Sequence, residues 1–429
     1  MQPHIVTLRM NNVQDLNIKT EILPLFDYSL NMFAKAKILD ILQTPLSSRN
    51  QIVFRQNILK GFAANKDIVT NYSYTVLYLN EVHFFINNTK LEDLTEKKIA
   101  YRFFTSRRAK ARYTSKFNQL ILLFHRLETY YFSRIDVSVF PEAYGQSIIR
   151  IIDFLSQFQL VKHEHIVREH QLKDTHVMNL TKIIADLGRK KRITRFWEDL
   201  FLFEAYVSIH KGLQKHAFVF PSFTEKGIRI NQLFHPLIDN PVKNDFRTSC
   251  NVVVLNGPNM SGKSTFLKAI GLCIYFGHLG LGIPAARGEF PFFTEFSIAI
   301  NRRDDILNGY SHFMTEIINL KKVVQKAFEE KNCFAVFDEL FSGTNVEDAL
   351  EICKTTINGL RKFKNSYFFI STHIQELQKV SYDDIDTFYI ECKLVNDRPT
   401  FTYKLKKGWS EVKVGRVLFD KEGLNILLR

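Results

Sequence analysis

The sequence predicts an α-helical domain over residues 1–217, followed by an α/β domain of the phosphate-loop class over residues 218–429. Three observations carry that division. Through the first half, apolar residues recur at helical spacing. From Ala217 the period gives way to short β-like runs, Phe218–Phe220, Ile228–Ile230 and Val252–Leu255. At Asn251–Thr265, finally, a buried-strand pattern, a glycine loop and a helical pattern follow one another without interruption.

Phe26–Leu42 carries apolar residues at helical spacing and stops at Thr44, whose α conformation Pro45 disfavours. Ser48–Ala64 sets Ile52, Phe54, Ile58, Leu59 and Phe62 on or near one face, and Tyr72–Ile86 reads as a further helix. Next comes a basic stretch, Lys97, Lys98, Arg102, Arg107, Arg108, Lys110, Arg112 and Lys116, interleaved with Tyr101, Phe103, Phe104 and Tyr113. Helices are expected over Asn118–Phe132, Glu142–Leu160 and His163–Leu187. After the basic run Arg189–Arg192, a last one spans Thr194–Gln214. The 39 phenylalanines read as core filling. No carboxylate/His spacing frames His163, His165, His170 and His176, so surface histidines are expected rather than a metal site.

Val252–Leu255 is the continuous apolar run of a strand buried on both faces. Gly257, Pro258, Asn259, Met260, Ser261, Gly262, Lys263 and Ser264 then fit GxxxxGK[ST], with Thr265 in the helix that follows. Such a loop turns backbone N–H groups and the positive end of a helix toward phosphates. Lys263 can reach the β/γ oxygens and Ser264 can ligate Mg2+, so the cofactors expected are ATP and Mg2+. A second apolar strand, Cys333–Phe337, ends in Asp338 and Glu339 and is expected beside the Val252 strand. There Asp338 serves the magnesium shell and Glu339 polarises the attacking water. A third, Tyr367–Thr372, delivers His373 to where it can touch a γ-phosphate.

Net charge is +14 and unevenly spread. Up to Arg247, 35 Lys and Arg face 23 Asp and Glu; from Thr248 the numbers are 23 and 21. The excess points to a polyanionic partner, with solvated helix faces as the alternative. Five cysteines without CxxC spacing indicate a reducing, cytoplasmic setting and no zinc. The first dozen residues lack the apolar core of a secretory signal, and no run of about 18 apolar residues exists to span a membrane.

These motifs together resemble the MutS family of ATP-driven DNA repair proteins, within the ABC-type ATPases. GPNMSGKST is similar to the family's phosphate loop, with Ser261 where a third glycine is usual. LGIPA at 281–285 resembles the loop after the first helix, and residues 303–316 resemble a DDL…G.STFM.E signature. STHIQEL at 371–377 is similar to the ATH…EL switch, and residues 405–415 to a G….S.G segment. Upstream, His235-Pro236 through Asp245, and residues 35–66 at the start of the core domain, extend the likeness. The resemblance implies a helical core and lever domain followed by an ABC-type P-loop ATPase domain. It implies a homodimer through the ATPase domains, with Ser311 reaching the other subunit's γ-phosphate. It further implies DNA as partner, held by the basic helical domain, together with other repair proteins.

Departures set limits. About 25 residues precede the core region, so mismatch-reading and connector domains are expected to be missing, and the stretch from Phe132 to Arg192 is short for two full levers and a clamp. The family's GRGTS is Phe341-Ser-Gly-Thr-Asn345 here, and the aromatic residue expected near adenine is Val242. A nucleotide-gated clamp or sensor in repair or recombination is therefore expected, not a direct mismatch reader. The alternative is a regulatory ATPase that partners proteins and binds little DNA.

Overall fold

The computed structural model describes residues 13–88, 105–300, 312–329, 331–341, 343–379, 384–395 and 398–412, with 419 and 427–428 near the C-terminus. The chain divides into two compact units. One comprises Met1–Leu25, Ile41–Gln56 and Leu213–Arg429, the other Phe26–Asp40 and Asn57–Gly212.

The second unit draws on helices α1 (Met32–Gln43), α2 (Arg49–Ala64), α3 (Lys66–Asn71), α4 (Val76–Asn88) and α5 (Arg107–Leu127). It continues with α6 (Glu142–Ser156), α7 (Leu160–Arg168), α8 (Asp174–Arg189) and α9 (Arg192–Lys215). Phenylalanines fill its core: Phe62, Phe117, Phe124, Phe154, Phe196 and Phe203 are almost wholly buried, and Phe154 stacks on Phe196 at 4.0 Å. Helix α1 starts six residues later than the apolar spacing suggests, because the Asn31 side chain caps it, accepting from the Phe33 and Ala34 amides at 2.9 Å. Periodicity also ran through two breaks that the backbone makes at left-handed residues, Gln159 (φ 45°) before α7 and His170 (φ 53°) after it. His163 is not a surface residue. It is buried, with Nδ1 2.8 Å from the Phe158 carbonyl.

One buried carboxylate ties this unit together. Glu204 on α9 accepts hydrogen bonds from the Tyr72 hydroxyl at 2.9 Å, the Tyr74 hydroxyl at 3.0 Å and the Asn31 amide. Burial pushes its pKa up to about 7 against that hydrogen bonding. The two tyrosines are thereby held outside helix, which is why α4 begins at Val76 and not at Tyr72.

The first unit carries two sheets. Strands β1 (Ser222–Thr224), β2 (Ile228–Leu233), β3 (Asn244–Thr248) and β5 (Arg287–Pro291) form a mixed sheet ordered β1-β5-β2-β3. The larger sheet contains β4 (Val252–Asn256), β6 (Glu295–Ala299), β7 (Cys333–Phe337), β8 (Tyr367–Ser371), β9 (Asp386–Val395) and β10 (Arg398–Lys407). Its order is β10-β9-β4-β8-β7-β6, parallel except for the antiparallel β9–β10 pair. Every residue of β4, β7 and β8 is buried, as strands covered on both faces require. Helices α11 (His312–Phe328) and α12 (Val346–Leu360) send Val323, Ala327, Ala349, Cys353 and Ile357 into one core against these strands.

Helix α10 (Lys263–His278) is buried along almost its whole length. Its C-terminal end is met by residues 42–55. Tyr275 donates to the Leu42 carbonyl at 2.9 Å, the Leu46 amide to the His278 carbonyl at 2.9 Å, and Arg55 to the Leu279 carbonyl at 2.7 Å. His278 is fully buried and held neutral, its pKa lowered by burial to about 3; Nε2 accepts from the Phe293 amide at 2.8 Å.

Candidate nucleotide site

Strands β4, β8 and β7 are neighbours and parallel, so their C-terminal ends open on one edge of the sheet, where ligands bind in open α/β folds. The sequence leads to the expectation that the Val252 and Cys333 strands are neighbours; they are not, because β8 lies between them and pairs with both. Crossover connections place a later strand between two earlier ones, and apolar runs carry no record of that order.

The loop after β4 needs its glycines. Gly257 has φ +133° and Gly262 φ +103°, and a Cβ on Gly262 would stand 3.2 Å from the Tyr403 ring. Met260 takes φ +67° without being glycine and is 75% exposed. Lys263 begins α10 and is buried; its Nζ donates to the Gly257 carbonyl at 2.9 Å and the Pro258 carbonyl at 3.2 Å, and lies 3.9 Å from Glu339 Oε1. The ammonium is therefore bent back over the loop that precedes it. Pro258 and Asn259 form the outer part of this turn, and Thr265 is exposed in the first turn of the helix.

One set of hydrogen bonds links the three strand ends. Ser264 donates to Asp338 Oδ2, and Ser371 donates to the other oxygen of the same carboxylate. Ser371 in turn accepts from the Glu339 amide at 2.7 Å. Ser371 is the last residue of β8 and fully buried; sequence reasoning passed over it for His373, two residues on. The signal was its place at the end of a third apolar strand. Glu339 has φ +51°, a left-handed conformation that a non-glycine residue holds at a cost of about 1–2 kcal/mol. His373 is exposed at the same edge of the sheet. Ser311 lies outside the described residues.

The oxygens fit the expected cofactors. Ser264 and Asp338 form a hard-oxygen pair of the kind Mg2+ takes with one or two protein ligands, leaving other positions to phosphate and water. Ser261 Oγ is buried without a hydrogen-bond partner, inside the loop whose amides would face phosphate. Near Gly262, Tyr403 is half-exposed, with φ +56°. Its carbonyl and that of Val242 both accept from the Asn244 side chain, at 3.0 and 3.4 Å. An aromatic ring thus stands by the loop although position 242 lacks one.

Residues 253–419 match the family model for MutS domain V. Over this part the chain is similar to the MutS family. It is 23% identical over 245 residues to a DNA mismatch repair protein MutS of Bacillus licheniformis, covering 55% of this chain and 28% of that protein. With the MutS of Petrotoga mobilis the figures are 27% over 253 residues, 57% and 30%. With human MutS protein homolog 4 they are 30% over 211 residues, 46% and 22%. The matches therefore span less than a third of the length of these relatives.

In the helical unit the expected DNA contacts divide. Lys97, Lys98 and Arg102 lie outside the described residues. Lys110 pairs with Asp174 at 2.7 Å, and Lys116 pairs with Glu81. Arg107, Arg108 and Arg112 are exposed in the opening turns of α5, which has no acidic residue in its first turn. Cations there oppose the helix dipole, so helix stability does not explain them. In the second cluster, Lys190 sits 2.7 Å and Arg189 3.8 Å from Asp186, and Arg195 3.4 Å from Asp199. Among the described residues no helix is long and apolar enough to cross a membrane.

Proposed function

We propose that the α/β unit is an ABC-type ATPase domain that binds and hydrolyses ATP with Mg2+, and that this cycle controls the chain's hold on DNA in repair of the MutS type. The observation carrying the reading is the Ser264–Asp338–Ser371–Glu339 chain beside Lys263, at the N-terminus of a buried helix. Ser264 and Asp338 would hold the magnesium, which when bound neutralises charge on the phosphate oxygens. Lys263 exchanges the Gly257 and Pro258 carbonyls for phosphate oxygens, and the loop amides hold the phosphate chain. Glu339, its backbone fixed through Ser371, orients the attacking water and receives its proton. His373 stands where loss of a γ-phosphate can be felt. Ser311 completes the site of a second subunit, giving a composite homodimer. DNA is held by exposed cations, Arg107, Arg108 and Arg112 first, as a nucleotide-gated clamp or sensor rather than a direct mismatch reader. Other repair proteins are further partners, and the cytoplasm the setting. The pairing of Lys110, Lys116 and Lys190 with acids supports the second reading, a regulatory ATPase that binds proteins and little DNA.

Labelled ATP and phosphate release test the chemistry. Lys263→Ala should lose binding; Glu339→Gln should keep ATP and hydrolyse it about 100- to 10,000-fold more slowly. Hydrolysis at the wild-type rate by Glu339→Gln removes the assignment of the base. Mixing Ser311→Arg with Lys263→Ala subunits should restore part of the activity. Failure of the wild type to bind any duplex, forked or mismatched DNA, with or without ATP, selects the protein-partner reading.

A further inference from the structure

We propose that the helical unit carries a second, separate pocket for a nucleoside phosphate, supplied by an unpaired nucleotide of a DNA strand. A cavity of about 520 Å3 lies between α3 and the end of α5, lined by Lys66, Asp67, Arg126, Tyr130, Tyr131 and Arg134 among others. Three cations against one carboxylate leave it net positive. Tyr130 is 46% exposed, and the guanidinium carbons of Arg126 and Arg134 stand 5.4 and 5.8 Å from its ring centre. Ring and guanidinium planes accept a flat base, and guanidinium and ammonium accept its phosphate. The size suits one nucleotide.

Two details separate this pocket from ordinary surface. Helix α5 runs into a π-helical turn at Glu128–Phe132, closed by the Ser133 amide on the Glu128 carbonyl at 2.8 Å, and Tyr130 sits in that turn. Such wide turns are rare and recur where a helix re-aims a side chain for function. The two arginines are also differently committed. Arg126 is fixed by the Ser73 carbonyl at 2.5 Å and the Ser73 hydroxyl at 2.8 Å, and so positions the ring. Arg134 and Lys66 are exposed and make no ion pair with a described residue, so both are available to an anion. An oligopeptide phosphate would use the charges but not the ring; a nucleotide uses both.

This inference rests on the DNA part of the reading above but not on the phosphate loop. It is therefore tested in the Lys263→Ala background, where binding to that loop is removed. Fluorescence anisotropy with a labelled 12-mer of thymidylate, and calorimetry with free dTMP, read the pocket. Tyr130→Leu should weaken the 12-mer about five- to a hundredfold, Tyr130→Phe should bind within twofold of its parent, and Arg134→Gln should lower the salt slope by about 0.7. Binding of the 12-mer alone identifies a strand nucleotide, whereas saturation by dTMP as well identifies a free nucleotide as a second source; both outcomes support the pocket. Unchanged affinity in both Tyr130→Leu and Arg134→Gln overturns it, as does absence of binding by the parent to either ligand. Circular dichroism melts check that the exposed replacements leave the fold intact. Duplex binding by the same proteins, measured in parallel, separates failure of the pocket from failure of the DNA reading.

Discussion

Replacing Glu204 by Gln should remove a large part of the pH dependence of the helical unit's stability. In the folded state its carboxyl faces two neutral hydroxyls and one neutral amide, with no cation in contact among the described residues, and burial raises its pKa from 4.5 to about 7. A raised carboxyl pKa means that the folded state binds the proton more tightly than the unfolded chain. Stability is thus fully present at low pH and is lost as pH rises from about 4.5 through 7. With 1.36 kcal/mol per pKa unit, the loss attributable to Glu204 between pH 5 and pH 8 is about 2–3 kcal/mol. Two histidines act in the opposite sense: half-buried His83 and buried His210 have pKa values lowered by desolvation, so the fold gains from them as pH rises toward 6.5. Only the difference between parent and variant isolates Glu204. The chain has two tryptophans, and Trp197 lies buried two turns away on α9. In a Trp409→Phe background, its fluorescence reports urea unfolding of this unit. Glu204→Gln keeps the shape and one accepting oxygen, its NH2 group donating to a tyrosine hydroxyl instead, and cannot ionise; the gap between the two stabilities should therefore move by about 2–3 kcal/mol across that pH range, in the variant's favour at pH 8. A gap that stays constant, or that moves toward the parent at high pH, refutes the reasoning.

Two further outcomes are expected. Tyr403→Ala should weaken ATP about five- to tenfold while leaving inorganic triphosphate unchanged, if the exposed ring beside Gly262 stacks on the base; equal losses for both ligands would assign it to loop structure instead. Changing Arg107, Arg108 and Arg112 together to Gln should flatten the salt dependence of duplex binding by up to about three units without changing ATP affinity, read by gel shift at several salt concentrations.

The glycine loop 257–262, the helix after it and the strand that ends at Asp338 and Glu339 were legible because each is a contiguous string whose residue types are dictated by local geometry. The hydrogen bonds that join them were not. Ser371 comes 33 residues after Asp338 and reaches it only because β8 is inserted between β4 and β7. Helices were legible as apolar periods, but their ends were not. Gln159 and His170 break the backbone without proline or glycine, and Asn31 moves a helix start through a cap seen only in three dimensions. The basic clusters showed in the sequence as charge. Which cations Asp174, Glu81 and Asp186 neutralise depends on packing between helices, or on the turn of one helix, that composition does not encode.

The threading of the chain through its two units has a consequence for synthesis. Residues 57–212 lie in one unit without interruption, so nearly all of that core can close as soon as it has been made. The segment 41–56 cannot. Its partners at the end of α10 and just beyond it lie far ahead: Leu42 meets Tyr275 after 233 residues and Arg55 meets Leu279 after 224. At about 5–20 residues per second on the ribosome, this strip waits roughly 10–45 s for them. Throughout that delay Leu42, Leu46 and Ile52, all buried in the finished protein, have no cover from α10. A polypeptide stopped short of residue 275 therefore never acquires those partners, and the strip stays without them.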